Sequence, residues 1–195
     1  MSDALTWRAA YRALAWLAAA TVAACTTTTI NPAKVEKPAG TYTTVVLGDV
    51  TASAPVAQPF TPVFRAGFLQ ELKHTQSFET VLDHSPETIP PGALIVTGDI
   101  AEFDKGNRFA RSLIGFGAGR ERIHGNFEIR DTQGSVLARF ESGKAYSGGL
   151  GIGGAGFVGI DTLMKEFGAE TAKAVWRWSA GMEIDTDAAP PERPQ

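Results

Sequence analysis

Apolar and polar residues alternate along two stretches of this chain and recur every three or four positions along two others. From Arg122 to Asp131, Ile123, Phe127 and Ile129 fall on one side, while Arg122, His124, Asn126, Glu128 and Arg130 fall on the other. That is the period of a half-buried strand. From Ala93 to Phe103, Leu94, Val96, Gly98 and Ile100 share one face and Ile95, Thr97, Asp99 and Ala101 the other. Asp131-Thr-Gln-Gly134 is a turn, and Val136, Ala138 and Phe140 bring the chain back as a hairpin partner. The β-branched run Thr43–Val50 predicts a first strand and Glu79–Asp83 a short one.

The helical period comes twice. Phe60, Phe64, Phe68 and Leu72 recur every four residues and predict a helix over 61–74 with an apolar stripe against the core. Ile160, Met164, Phe167, Thr171, Ala174, Val175 and Trp178 line one face of a longer helix over 158–180, with Gly181 placed as its C-cap. Trp176 falls off that stripe, so the pattern predicts it exposed or against a partner. The order is strand, helix, short strand, three longer strands, helix. It predicts an α+β two-layer sandwich: a mixed sheet of four or five strands, two helices on one face, and the long helix C-terminal. The opposite face, carrying Arg122 to Arg130, would meet solvent or a partner.

The ends of the chain lack these periods. Arg8 and Arg12 precede a run from Ala13 to Ala24 that is apolar except for Thr21, and Val22-Ala23-Ala24-Cys25 closes it. A basic head, an apolar stretch and small residues before the single cysteine form a lipoprotein signal peptide with its lipobox. The apolar run is shorter than the ~20 residues a membrane-crossing helix needs, so it predicts an export signal and no transmembrane helix. On this reading residues 1–24 are removed and Cys25 carries the lipid, two or three acyl chains giving durable anchoring. Thr26 stands where aspartate marks inner-membrane retention, which by resemblance to that sorting pattern favours the periplasmic face of the outer membrane. Residues 25–42 read as a lipidated tether, a flexible coil with two prolines. Residues 43–181 form one domain and 182–195 a disordered acidic tail.

Losing Arg8, Arg12 and Asp3 with the signal reduces 18 basic and 21 acidic side chains to 16 and 20, a mature charge of −4. A mildly acidic chain speaks against nucleic-acid binding. With its one cysteine lipidated, the domain has no disulfide and holds together by packing.

Two glycine-rich segments interrupt the strands, Gly106–Arg122 and Tyr146–Phe157, and both mix glycine with apolar side chains that ordinary loops avoid. The first concentrates Arg108, Arg111, Arg120 and Arg122 around Phe116. Guanidinium forks suit carboxylates and phosphates, making an anionic lipid head group or a cell-wall carboxylate the candidate ligand. The competing reading pairs these arginines with Asp99, Glu102, Asp104 and Glu121 to fix the loop. Gly115-Phe-Gly-Ala-Gly119 has the wrong spacing for a dinucleotide turn and is followed by a strand, and no P-loop occurs. His74, His84 and His124 lack metal-ligand spacing, and neither a Gly-x-Ser-x-Gly elbow nor a Ser-x-x-Lys is present. Asp99, Glu102 and Asp104 near a strand end are the one acid–base candidate. The sequence therefore predicts a non-enzyme that takes no cofactor or metal.

Gly106-Asn-Arg108, Arg111, Gly115-Phe-Gly-Ala-Gly-Arg120 and Trp178-Ser-Ala-Gly181 together resemble a family of bacterial lipoproteins known only as a domain of unknown function, over residues 43–181. The strand order also resembles the curli secretion channel and the activators of cell-wall synthases. In the curli channel, two insertions at comparable points form membrane-spanning hairpins. Here the second segment is too short for two strands of ~9–11 residues and a turn. The expectation is a tethered binding or assembly module whose glycine-rich segments, with Trp176, contact a protein partner, lipid or a second copy. A ring-forming channel and a cell-wall hydrolase or transferase are the alternatives.

Overall fold

Nine elements follow one another in the computed structural model, which describes residues 25–36, 38, 40–104, 121–147 and 159–184. They are β1 (Cys25–Val35), β2 (Thr44–Thr51), a single 3-10 turn (Gln58–Phe60), α1 (Thr61–Thr75), β3 (Thr80–Leu82), β4 (Ala93–Asp104), β5 (Glu121–Arg130), β6 (Val136–Ser147) and α2 (Ile160–Ser179). The strands make one sheet in the order β1-β6-β5-β4-β2-β3. Strand β2 runs parallel to both β3 and β4, and from β4 through β5 and β6 to β1 the pairing is antiparallel. The fold is thus the expected α+β arrangement of a mixed sheet with two helices, the longer one C-terminal.

The predicted alternation holds. Leu94, Val96 and Ile100 on β4, Ile123, Phe127 and Ile129 on β5, and Ala138 and Phe140 on β6 are all buried against the helices. At the centre the ring of Phe127 stacks on Phe64 of α1 with centroids 5.5 Å apart, and Phe140 and Phe167 close around it at 5.7 and 5.9 Å. Gly98 makes this possible, because a Cβ there would sit inside the Phe127 ring that crosses it from the neighbouring strand.

Helices α1 and α2 cross backbone to backbone. A Cβ on Gly67 would collide with the Lys165 carbonyl, and one on Gly168 with the carbonyl of Phe64. The stripe of α2 buries Leu163, Met164, Phe167, Thr171, Ala172, Val175 and Trp178. Its end is closed by Gly181 at φ +72°, and the Gly181 amide donates to the Trp178 carbonyl at 2.9 Å.

The sheet has six strands because the segment expected to be a coiled tether is, over Cys25–Val35, the edge strand β1. Its physical basis is in the residues themselves. Four consecutive threonines and Ile30 are β-branched, Ile30 turns inward to be buried, and Pro32 is confined to a bulge on an edge strand, where a missing N–H is tolerated. Strand β6 also runs further than the alternation suggested, to Ser147, which takes Tyr146 and Ser147 out of the second glycine-rich segment. Ile184, placed by the sequence in a disordered tail over 182–195, is instead buried in the core, and residues 1–24, assigned to a signal, and 185–195 lie outside the described residues. Among the described residues, no helix is long and apolar enough to cross a membrane.

Candidate functional site

Strand register turns the outward residues of four strands into rows across the open face of the sheet, the face away from the helices. Thr29, Gly143, His124 and Glu102 form one row, each paired with the next on the adjacent strand. Asn31, Glu141, Asn126 and Asp99 form the row beside it. On the other side of the first row, Ala145, Arg122 and Asp104 are partners across β6, β5 and β4. Gly143 and Ala145 are small while their neighbours are long, so β6 floors a trench. The resulting groove, about 220 Å³, is lined by Thr29, Asn31, Glu102, Arg122, His124, Glu141, Gly143 and Ala145.

Its chemistry is mixed in sign. Glu102 and Glu141 face Arg122 and His124, and His124 Nε2 lies 3.6 Å from Glu141 Oε2, a contact that becomes an ion pair when the imidazole is protonated. Among the described residues no hydrogen bond or ion pair ties the side chains of Asn31, Glu102 or Arg122, so their donors and acceptors are open to a ligand. Among the described residues no group of three or more histidines, cysteines or carboxylates converges as a metal site.

Beyond the groove the open face is fixed by internal pairs. Arg139 Nε donates to Glu128 at 2.6 Å and Arg130 grips the other carboxylate oxygen. The Arg139 hydrogen bond, with Arg130 beside it, holds the Glu128 carboxyl below its ordinary range against the opposing effect of burial. At Asp99, partial burial disfavours the charge, yet a 2.6 Å hydrogen bond from the Thr51 hydroxyl and a 2.9 Å bond from the Ser53 amide outweigh it and lower the pKa. Asp99 is therefore a brace for the turn after β2. On the helix side, buried Lys144 reaches Glu166 of α2 at 3.0 Å.

The residues singled out from sequence divide. Arg122 is exposed on the groove rim, in company that is as acidic as it is basic. Arg108, Arg111, Arg120 and Phe116 lie outside the described residues, and Cys25 is described only as the first backbone position of β1. Trp176 is half-buried and packs against the core, so the helical angle misjudged it. A bicyclic ring is wide enough to reach the core edge from a flanking position. Its neighbour Trp178 is fully sequestered, stacked on Tyr42 at 5.9 Å and donating from Nε1 to the Glu36 carbonyl at 2.9 Å.

Sequence reasoning missed Thr29 and Asn31, which sat in the supposed tether, and it also missed Glu141 and Gly143. The available signal was the isolated Gly143 inside a strand pattern, which marks a bulge or a close approach.

The family profile described as "Domain of unknown function (DUF4410)" matches residues 27–149. No curated protein matches the chain in sequence. Among solved structures the chain is similar to the PelC dodecamer from Paraburkholderia phytofirmans, with 12% identity, 82% of this chain and 99% of that one covered, and a TM-score of 0.48. It is also similar to protein XCC0632 from Xanthomonas campestris, of the DUF330 family, with 10% identity, coverage of 76% and 92%, and a TM-score of 0.49. A homologue of neuraminyllactose-binding hemagglutinin from Helicobacter pylori aligns with 12% identity, coverage of 77% and 87%, and a TM-score of 0.37.

Proposed function

This chain belongs to the DUF4410 family, and from that premise we propose that it is a lipid-anchored, non-catalytic binding module on the periplasmic face of the outer membrane. The anchor is Cys25, and the working surface is the open face of the sheet together with the sheet end nearest the anchor.

The observation that carries this reading is a register. Strand β1 starts at Cys25, opposite Ser147 at the end of β6. Asp104 at the end of β4 pairs with Arg122 near the start of β5. The anchor residue and the three strand termini at Asp104, Glu121 and Ser147, from which segments 105–120 and 148–158 leave the sheet, are therefore at one end of one sheet. A lipid on Cys25 leaves no spacer before the first strand, so that end rests at the bilayer. The arginines and apolar residues of the two segments attach there in sequence, where basic and apolar side chains meet anionic head groups favourably.

Three further points support a binder over an enzyme. The lipobox follows a complete export signal, the single cysteine is used by the lipid, and the carboxylate best held in its ionised form near a strand end, Asp99, is committed to Thr51 and Ser53.

The experiment is metabolic labelling with palmitate followed by membrane fractionation. The full chain should incorporate label and sediment with the outer membrane. Cys25→Ser should lose the label and the membrane. Label-free protein in the soluble periplasm would end the anchoring reading. A ring-forming, channel-like alternative predicts a uniform high-mass species in mild detergent, and a cell-wall hydrolase predicts fragments released from purified peptidoglycan.

A further inference from the structure

Gly143 is a glycine the fold does not require. It is absent from the positive-φ glycines, which among the described residues are Gly92, Gly134 and Gly181. A Cβ added to it would meet only ordinary contacts, His124 Cδ2 at 3.7 Å, the Ile123 carbonyl at 3.8 Å and the Thr29 carbonyl at 4.0 Å. Gly67, Gly98 and Gly168 differ, since each is pressed against a backbone or ring that excludes a side chain. Glycine inside a strand weakens the strand and loses packing, and where no bulge or bend accounts for it, the remaining reason is a close approach by something else. Strand β6 is paired on both sides and its register is unbroken through Gly143. The bare position is the floor of the groove.

We propose that this groove is a binding site for one ring of a neutral saccharide. The inference rests on the reading of the protein as a binding module and names the ligand class of its open face.

The walls argue for that class by elimination and by fit. Glu102 and Glu141 repel an anion, and Arg122 opposes a polycation. Asn31 offers both donors and acceptors, the two carboxylates accept and the guanidinium donates. A hydroxyl both donates and accepts, so a polyol can serve every group in this mixed set, while a ligand of one charge leaves part of it unmatched. The floor, the bare Cα of Gly143 and the methyl of Ala145, is flat and apolar and suits the C–H face of a sugar ring. At about 220 Å³ the groove is smaller than the ~300–1,000 Å³ of drug-sized sites. It therefore holds one ring.

The test uses full-length protein extracted in a zwitterionic detergent without a sugar head group. Saturation-transfer NMR is recorded with maltotriose and with triacetylchitotriose, and with spermidine and inorganic phosphate as charged probes. Transfer to the ring protons of at least one oligosaccharide is expected. In Gly143→Leu binding should weaken about tenfold or more, the scale of one lost close contact surface. Glu141→Gln should weaken it as well, and Lys173→Ala, on α2 and away from the groove, should leave it intact.

Gly143→Leu should also melt no lower than the parent, because leucine suits a strand interior better than glycine. A lower melting temperature would show that the fold needs this glycine and would overturn the argument. So would the absence of transfer to both oligosaccharides, transfer that survives Gly143→Leu, or binding of spermidine or phosphate in their place. Membrane fractionation of the same variants separates the two readings, since loss of saccharide binding leaves palmitate-dependent sedimentation in place.

Discussion

Arg65 of α1 donates from Nε to the carboxylate of Asp83, beyond β3, at 2.9 Å. The same guanidinium reaches the carbonyls of Gly48 at 2.8 Å and Leu47 at 2.9 Å. Those two carbonyls lie where the β2–β4 register shifts, between Leu47 and Val50, so the ladder does not pair them regularly. One side chain thus satisfies a bulge, ties a helix to the sheet and fixes the loop after an edge strand. Arg65→Ala should destabilise the domain by about 2–3 kcal/mol, since it strands partly buried carbonyls and removes the guanidinium partner of Asp83. Arg65→Lys should recover only part of that, because an ammonium lacks the planar fork. Urea denaturation with an unchanged slope would give both numbers.

The crossing of α1 and α2 gives a second expectation. Gly67→Ala and Gly168→Ala each place a methyl into the opposing helix backbone. Each should cost about 1–3 kcal/mol through overpacking, although alanine is the better helix former. Thermal denaturation would check this, and a gain in stability in either variant would mean that the helices separate without penalty.

Acid sensitivity should trace in part to Glu128. Its folded pKa is lowered by Arg139 and Arg130, so its contribution is present in full above the ordinary value of 4.5 and is lost as the pH falls through the lower folded value. Glu128→Gln should flatten the acid limb of the stability profile and leave stability near pH 7 lowered by under about 1 kcal/mol, as the side chain is partly exposed to solvent. Chemical denaturation across that range is the measurement.

Strand β1 can be separated from a flexible tether by hydrogen exchange. The amide of Thr29, opposite Gly143 in the β1–β6 ladder, should exchange slowly if β1 is docked and at the random-coil rate if it is a coil. Ile30→Ala should destabilise the whole domain by about 2 kcal/mol or more, because Ile30 is 8% exposed and belongs to the core. An unaffected melting temperature would return residues 25–35 to the role of linker.

Much of the architecture was legible because it depends on local periods. The alternation of Ile123, Phe127 and Ile129 and the four-residue spacing of Phe64, Phe68 and Leu72 fix which side of each element faces inward, whatever lies opposite. The proposed anchor at Cys25 is equally local, since it rests on one short motif. The groove was not legible. Thr29 is 114 residues from Gly143 and 95 from His124, and only the pairing of β1 onto β6 and of β6 onto β5 sets them in one row.

By itself, then, the sequence determined the helices, the longer strands, their buried faces and the candidate anchor, because each is written in a period or motif a few residues long. Tertiary structure alone decided that the threonine run is a sheet edge, that Trp176 leans on the core, and that Gly143 lies bare between Thr29 and His124. Those outcomes depend on which distant strand supplies the partner, and hydrogen-bond register between strands leaves no trace in the spacing along either one.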